Sequence, residues 1–268
     1  MAACALSYGP SIMAKHYASI WDAIKFEVLN ASGPDGEIAE EALVTTRAIA
    51  TSLAYGLSGI PQPAAPLSRY LKAIVKECLD LLKEPQQKQA KPAGQILASV
   101  GKAGVVPHGY IIKESLPTLL AVYGESDGIT KQRAMLEVLN QIFISTATVY
   151  GEWGEVVTYP TLENPLLESK EKLFDIYSKA LMGTNKDEVG FRIVALKGLG
   201  GLSKIRRLFA DNEIGMVIQY LDEVVLEREE ESRADIKSVT LENHSLVSLR
   251  LTSTIERRHY NVYCKFQL

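Results

Sequence analysis

The sequence predicts an all-α protein, an α-solenoid of HEAT/armadillo-like helical hairpins. Three observations lead there. Apolar residues recur at helical spacing in segment after segment, turn residues separate those segments at short intervals, and strand-like runs are few. The first helix is expected near Ser19–Leu29, and Gly33-Pro34-Asp35-Gly36 separates it from a second near Glu37–Tyr55. Leu67, Tyr70, Leu71, Ile74, Cys78, Leu81 and Leu82 form the next stripe. Glu84-Pro85 bounds it, with Pro85 suited to the first turn of the helix that follows. Asp127-Gly128 divides a helix near Tyr110–Tyr123 from one near Thr130–Ser145, whose stripe is Met135, Leu136, Leu139, Ile142 and Phe143. Asn164-Pro165 opens a helix to about Met182, and Thr184–Asp187 is a hinge into another. The last stripe is Ile214, Val217, Ile218, Leu221, Val224 and Val225.

Short connections make most neighbouring helices antiparallel hairpins. Second helices align through Thr46, Ile49 and Leu53, then Ile96 and Ser99, then Leu136, Leu139 and Ile142, then Leu196, Leu199 and Leu202. The mean interval is close to the roughly 40–47 residues of a HEAT or armadillo unit. The longest interval contains Val149–Glu163, which reads as a loop insertion. Val156–Tyr159 and Val262–Cys264 are too isolated to build a sheet.

Composition narrows the function. Of 268 residues, 47% are hydrophobic and 23% charged, with 29 basic and 32 acidic side chains and a net charge of -3. That balance argues against a strongly basic nucleic-acid binder and against a polybasic membrane anchor. No run of about 18 apolar residues exists, so no spanning helix is expected. Met1–Leu6 lacks the charged start of a signal peptide. Without such a signal, the sequons Asn30-Ala31-Ser32 and Asn243-His244-Ser245 are chance matches. Cys4, Cys78 and Cys264 are odd in number and far apart, as in a reduced protein, and Cys4 and Cys78 read as core residues.

No catalytic, cofactor-binding or metal-binding residue is expected. His16, His108, His244 and His259 do not pair at helical spacing, and His259 with Cys264 would need two further ligands. Gly198-Leu199-Gly200-Gly201 lies within or at the end of a helix, where it permits close packing; a phosphate loop would need a preceding strand. Glu229–Glu231 suits an inter-helix turn, and Ser203–Arg207 is too small for a nucleic-acid footprint. An array of hairpins without catalytic groups is a binding surface or scaffold. Its second helices would line one face, around Arg47, Gln95, Gln141 and Lys197.

Several segments carry a family resemblance. Ser19-Ile20-Trp21-Asp22-Ala23-Ile24-Lys25-Phe26-Glu27-Val28-Leu29 is similar to a segment of the Mms-nineteen nucleotide excision repair protein family. Ala2–Gly9 resembles the helix end that precedes it in that family, and Ala42-Leu43 with Arg47–Ala50 and Leu53 resembles the helix that follows. Lys76–Pro85, Ser115–Leu120 and Arg133–Leu139 match later landmarks in the same order. The polar turns look closest to a fungal member. The resemblance spans roughly Ala2–Glu231.

It implies a non-catalytic HEAT-repeat adaptor of the cytosolic iron–sulfur protein assembly targeting complex. Such an adaptor helps deliver clusters to apoproteins of DNA repair, replication and transcription, in nucleus and cytoplasm. The implied partners are assembly factors and iron–sulfur client enzymes, with no resident cofactor, no direct nucleic acid and no membrane. The alternatives are a nuclear-transport-type HEAT receptor, lowered by the absence of its acidic loops and inner-helix Trp-Asn pairs, or another helical-repeat scaffold, with an all-α hydrolase or transferase as a more distant rival. Family members are far longer, so the chain reads as a fragment: residues 1–235 as repeat array, 236–268 as a divergent, poorly packed tail of the kind a shifted reading frame would produce.

Overall fold

Nine α-helices account for most of the described residues of the computed structural model, which are 1–31, 36–57, 64–85, 87–152, 163–183, 188–226, 236, 238–245 and 247. They fall into two compact units, one holding the first six helices and the other the last three.

In the first unit, α1 (Ala2–Leu29) breaks at Gly9, whose φ of 71° and ψ of 177° leave the helical region, and Pro10 resumes the helix. Its longer part buries Met13, Trp21, Ile24 and Val28. α2 (Gly36–Ala54) carries Glu37 in its first turn, where a carboxylate meets the positive end of the helix dipole. α3 (Ala65–Leu82) buries Leu67, Tyr70, Leu71, Ile74, Cys78 and Leu82; of the expected stripe only Leu81 remains partly exposed. α4 (Ala90–Gly101) begins beyond Pro85, which sits in the preceding turn; Pro92 takes the first-turn place, where a missing N–H costs nothing. α5 (Val105–Glu125) and α6 (Ile129–Tyr150) complete the unit.

The helices pair as α1/α2, α3/α4 and α5/α6, and the pairs stack. First helices α1, α3 and α5 pack in succession, and so do second helices α2, α4 and α6. This is the layering of a helical-repeat solenoid, in which each hairpin buries its apolar stripe against its neighbours. The aligned positions Thr46, Ile49, Ile96, Leu136, Leu139 and Ile142 are each 0% exposed. Each fully buried Ile or Leu contributes roughly 1.5–3 kcal/mol. Polar ties run between layers. The Tyr70 hydroxyl donates to the Thr46 carbonyl at 3.0 Å, and the Ser99 hydroxyl to the Leu43 carbonyl at 2.8 Å. Lys25 of α1 pairs with Glu77 of α3 at 3.2 Å. α4 approaches α6 closely: a Cβ at Gly94 would lie 3.1 Å from Val138, and one at Gly101 3.1 Å from Ser145 Oγ and 3.2 Å from His108 Nδ1.

Asn164-Pro165, which closes the first unit, opens a 3₁₀ turn (Pro165–Ser169) along the chain to α7 (Lys170–Met182), the first helix of the second unit. The Leu166 N–H donates to Asn164 Oδ1 at 3.0 Å, the turn-opening bond an asparagine there supplies. α7 packs on α8 (Val189–Lys204), and α8 meets α9 (Asp211–Leu226). Phe174 of α7 stacks edge-on against Phe209 at 5.6 Å, and Lys170 pairs with Glu213 at 2.8 Å.

Part of the segment expected as a tail is described. Residues 236, 238–245 and 247 are helical, and Ile236, Thr240, Asn243 and Val247 are buried. Asn243 Nδ2 donates to the Leu196 carbonyl of α8 at 3.3 Å, and His244 Nε2 lies 3.0 Å from Asp222 of α9. A Cβ at Gly200 would collide with the Asn243 amide, coming within 2.7 Å of its Cγ. These described residues therefore pack on α8 and α9. The rest of the tail, 248–268, lies outside the described residues, as do Val156–Tyr159, Val262–Cys264 and Glu229–Glu231. Among the described residues the only extended pairing is the bridge of Glu152 with Ile205, in the second unit.

Candidate interaction surface

The second helices of the first unit present Arg47 on α2, Gln95 on α4 and Gln141 on α6, all partly exposed. The stacking of α2, α4 and α6 places these three on adjacent layers, as the repeat register predicts. Lys197 is exposed on α8 in the second unit. Lys102, just past the end of α4, lies close enough to Arg47 to feel its charge: burial lowers the Lys102 pKa, and the guanidinium lowers it further. Neither cation has an ion-pair partner among the described residues. Ile144 of α6 is 50% exposed, an apolar contact point on the same series of helices. A face of this kind combines uncompensated positive charge with amides and an apolar residue. It suits protein contacts spread over several repeats.

The residues that could carry chemistry are dispersed. Cys78 is buried in α3, and burial pushes its thiol far above the ordinary range, which disfavours the thiolate a metal or cluster requires. Cys4, expected in the core, is exposed. The short stretch of α1 before Gly9 buries Ala5 instead, and the adjacent residue turns away by the helical period. His108 is fully buried between α5 and α6, with Nε2 3.1 Å from Thr146 Oγ1 and Nδ1 3.5 Å from Ser145 Oγ. This role was not readable from sequence, because its partners lie one helix later. Gly198–Gly201 sits within α8, where Gly200 makes room for Asn243, the close-packing role its context indicated. Ser203–Arg207 spans the end of α8 and the turn after it, and the Ser203 hydroxyl donates to the Leu199 carbonyl. Among the described residues, no three His, Cys, Asp or Glu side chains gather into a metal-holding group, and no helix is long and apolar enough to cross a membrane.

The described residues thus form a helical-repeat scaffold with a candidate docking face. No model of a known protein family matches the chain. Individual proteins do. It is 27% identical over 208 residues to the DNA repair/transcription protein mms19 of Schizosaccharomyces pombe, covering 77% of this chain and 20% of that protein. It is 23% identical over 235 residues to the MMS19 DNA repair/transcription protein of Saccharomyces cerevisiae, covering 83% and 22%. With the MMS19 nucleotide excision repair protein homolog of Xenopus tropicalis it shares 21% over 225 residues, covering 84% and 21%. The resemblance read from the landmark segments is therefore borne out, by similarity to MMS19 proteins along most of the chain. The chain spans about a fifth of the length of the curated relatives it matches.

Proposed function

We propose that this chain forms part of a non-catalytic helical-repeat adaptor that helps deliver iron–sulfur clusters to apoproteins of DNA repair, replication and transcription, in nucleus and cytoplasm. The observation that carries the reading is similarity over about four fifths of the chain to proteins named for DNA repair and transcription. The architecture supports it, since stacked hairpins offer a broad surface built for contacts rather than a cleft. In this role the cluster is cargo held by other proteins, and the adaptor supplies surfaces that bring donor and client together. Its partners are assembly factors and client enzymes, contacted over several layers at modest energy each.

The test is client maturation in cells. Deleting the gene should lower radio-iron incorporation into iron–sulfur enzymes of DNA metabolism while leaving mitochondrial iron–sulfur enzymes loaded. Undiminished incorporation, together with mislocalised nuclear cargo, would instead support a transport receptor and refute the adaptor.

A further inference from the structure

The first unit carries a groove of about 290 Å³ between the turn before α4 and the start of α6, one helical turn from Gln95 and Gln141. Pro85 and Thr130 line it together with Lys88, Lys91, Arg133 and Glu137. Three of these side chains are cationic and one is anionic, and the anion is already engaged: Glu137 Oε1 accepts from Arg133 Nε at 3.1 Å within α6. Lys88 and Lys91 are exposed and have no ion-pair partner among the described residues. The backbone adds the same sign. The first turns of α4 and α6 border the groove, and neither contains an acidic residue to offset the positive end of its dipole. Lys91 stands in the first turn of α4 instead. Helices normally place carboxylates there and cations at the other end. Two helix starts and two free lysines thus face one open groove whose single lining carboxylate, Glu137, is already paired with Arg133.

We propose that this groove docks an acidic peptide segment of a protein partner, its Asp or Glu side chains meeting Lys88, Lys91 and Arg133. The proposal rests on reading the chain as a protein-docking scaffold and adds to it the chemistry of one contact. Charge complementarity selects the occupant. The site is open and small, near the lower end of pocket sizes that hold a compact ligand, so it fits side chains projecting from a strand of peptide. Three cations are fewer than the basic stripe that tracks a nucleic-acid backbone. The surrounding layers give the cations a fixed spacing, because α4 and α6 pack directly on one another.

The experiment uses the full 268-residue chain and a fluorescein-labelled peptide of alternating Glu and Gly, read by fluorescence anisotropy. The wild type should bind, with affinity falling steeply between about 50 and about 300 mM salt as screening shortens. Lys88→Glu with Lys91→Glu should weaken binding about tenfold, the scale of two exposed charge contacts reversed. Glu137→Gln should tighten it, because Arg133 is released from its internal pair. Lys113→Glu, an exposed change elsewhere on α5, should leave binding unchanged. Equal weakening by Lys113→Glu would reduce the effect to net charge and overturn the proposal. So would full displacement of the peptide by equimolar inorganic phosphate, or stronger binding of single-stranded DNA through the same two lysines. Because the readout is a defined peptide, a negative result here leaves client maturation in cells free to succeed or fail separately.

Discussion

Acidification should unload the first unit through His108. The imidazole is fully buried, lies edge-on to Tyr150 at 5.6 Å, and touches Thr146 and Ser145 of α6. Burial pulls its pKa from 6.5 down to about 3, and a backbone hydrogen bond with Gly101 only partly opposes that pull. The folded value lies below the unfolded one, so the unfolded chain binds more protons from about pH 6.5 down to about pH 3. Stability therefore falls as pH drops through that window and is indifferent to this group above it. Between about pH 7.5 and about pH 5 the loss from this one ring is about 2 kcal/mol. His108→Gln keeps a polar group against Thr146 and removes the titration. Urea unfolding followed by circular dichroism at both pH values gives the comparison. The variant starts less stable, but its decline on acidification should be smaller than that of the wild type by about 2 kcal/mol, since every other titrating group is common to both. Parallel declines would refute the burial argument.

Three further outcomes follow from particular contacts. Tyr70→Phe removes the donor to the Thr46 carbonyl while keeping the ring, and should cost about 1 kcal/mol in the same urea assay. Gly200→Ala should destabilise the second unit by roughly 1–3 kcal/mol and raise hydrogen exchange at 238–245; adding Asn243→Ala should recover most of that loss, because it removes the group the new methyl meets. Anaerobic reconstitution with iron and sulfide should leave the chain without a stoichiometric visible chromophore, since an iron–sulfur cluster requires converging thiolates and the Cys78 thiol is buried and held protonated.

The first unit was largely legible in sequence because its stripes are apolar and regular. Leu67, Tyr70, Leu71, Ile74 and Cys78 announce one face of α3, and that face is buried. The register of second helices was legible for the same reason, as Thr46, Ile96 and Leu136 show. The helical residues 236, 238–245 and 247 are hard to read from periodicity because their buried positions include polar residues. Ile236, Thr240, Asn243 and Val247 keep helical spacing, but two of the four look like surface residues until Asn243 is seen against Gly200. The early part of α1 has so little buried surface that periodicity did not show it; the family resemblance over Ala2–Gly9 did. The groove was hidden by distance along the chain. Lys88 and Lys91 come near Arg133 only because successive hairpins stack, about one repeat apart.

The most direct measurement is affinity purification of the tagged protein from its native cells under low oxygen, followed by quantitative mass spectrometry against an untagged control. The adaptor account predicts enrichment of cytosolic iron–sulfur assembly factors together with iron–sulfur enzymes of DNA repair and replication. Enrichment of nuclear-pore and transport components, with those two groups at control levels, would contradict it.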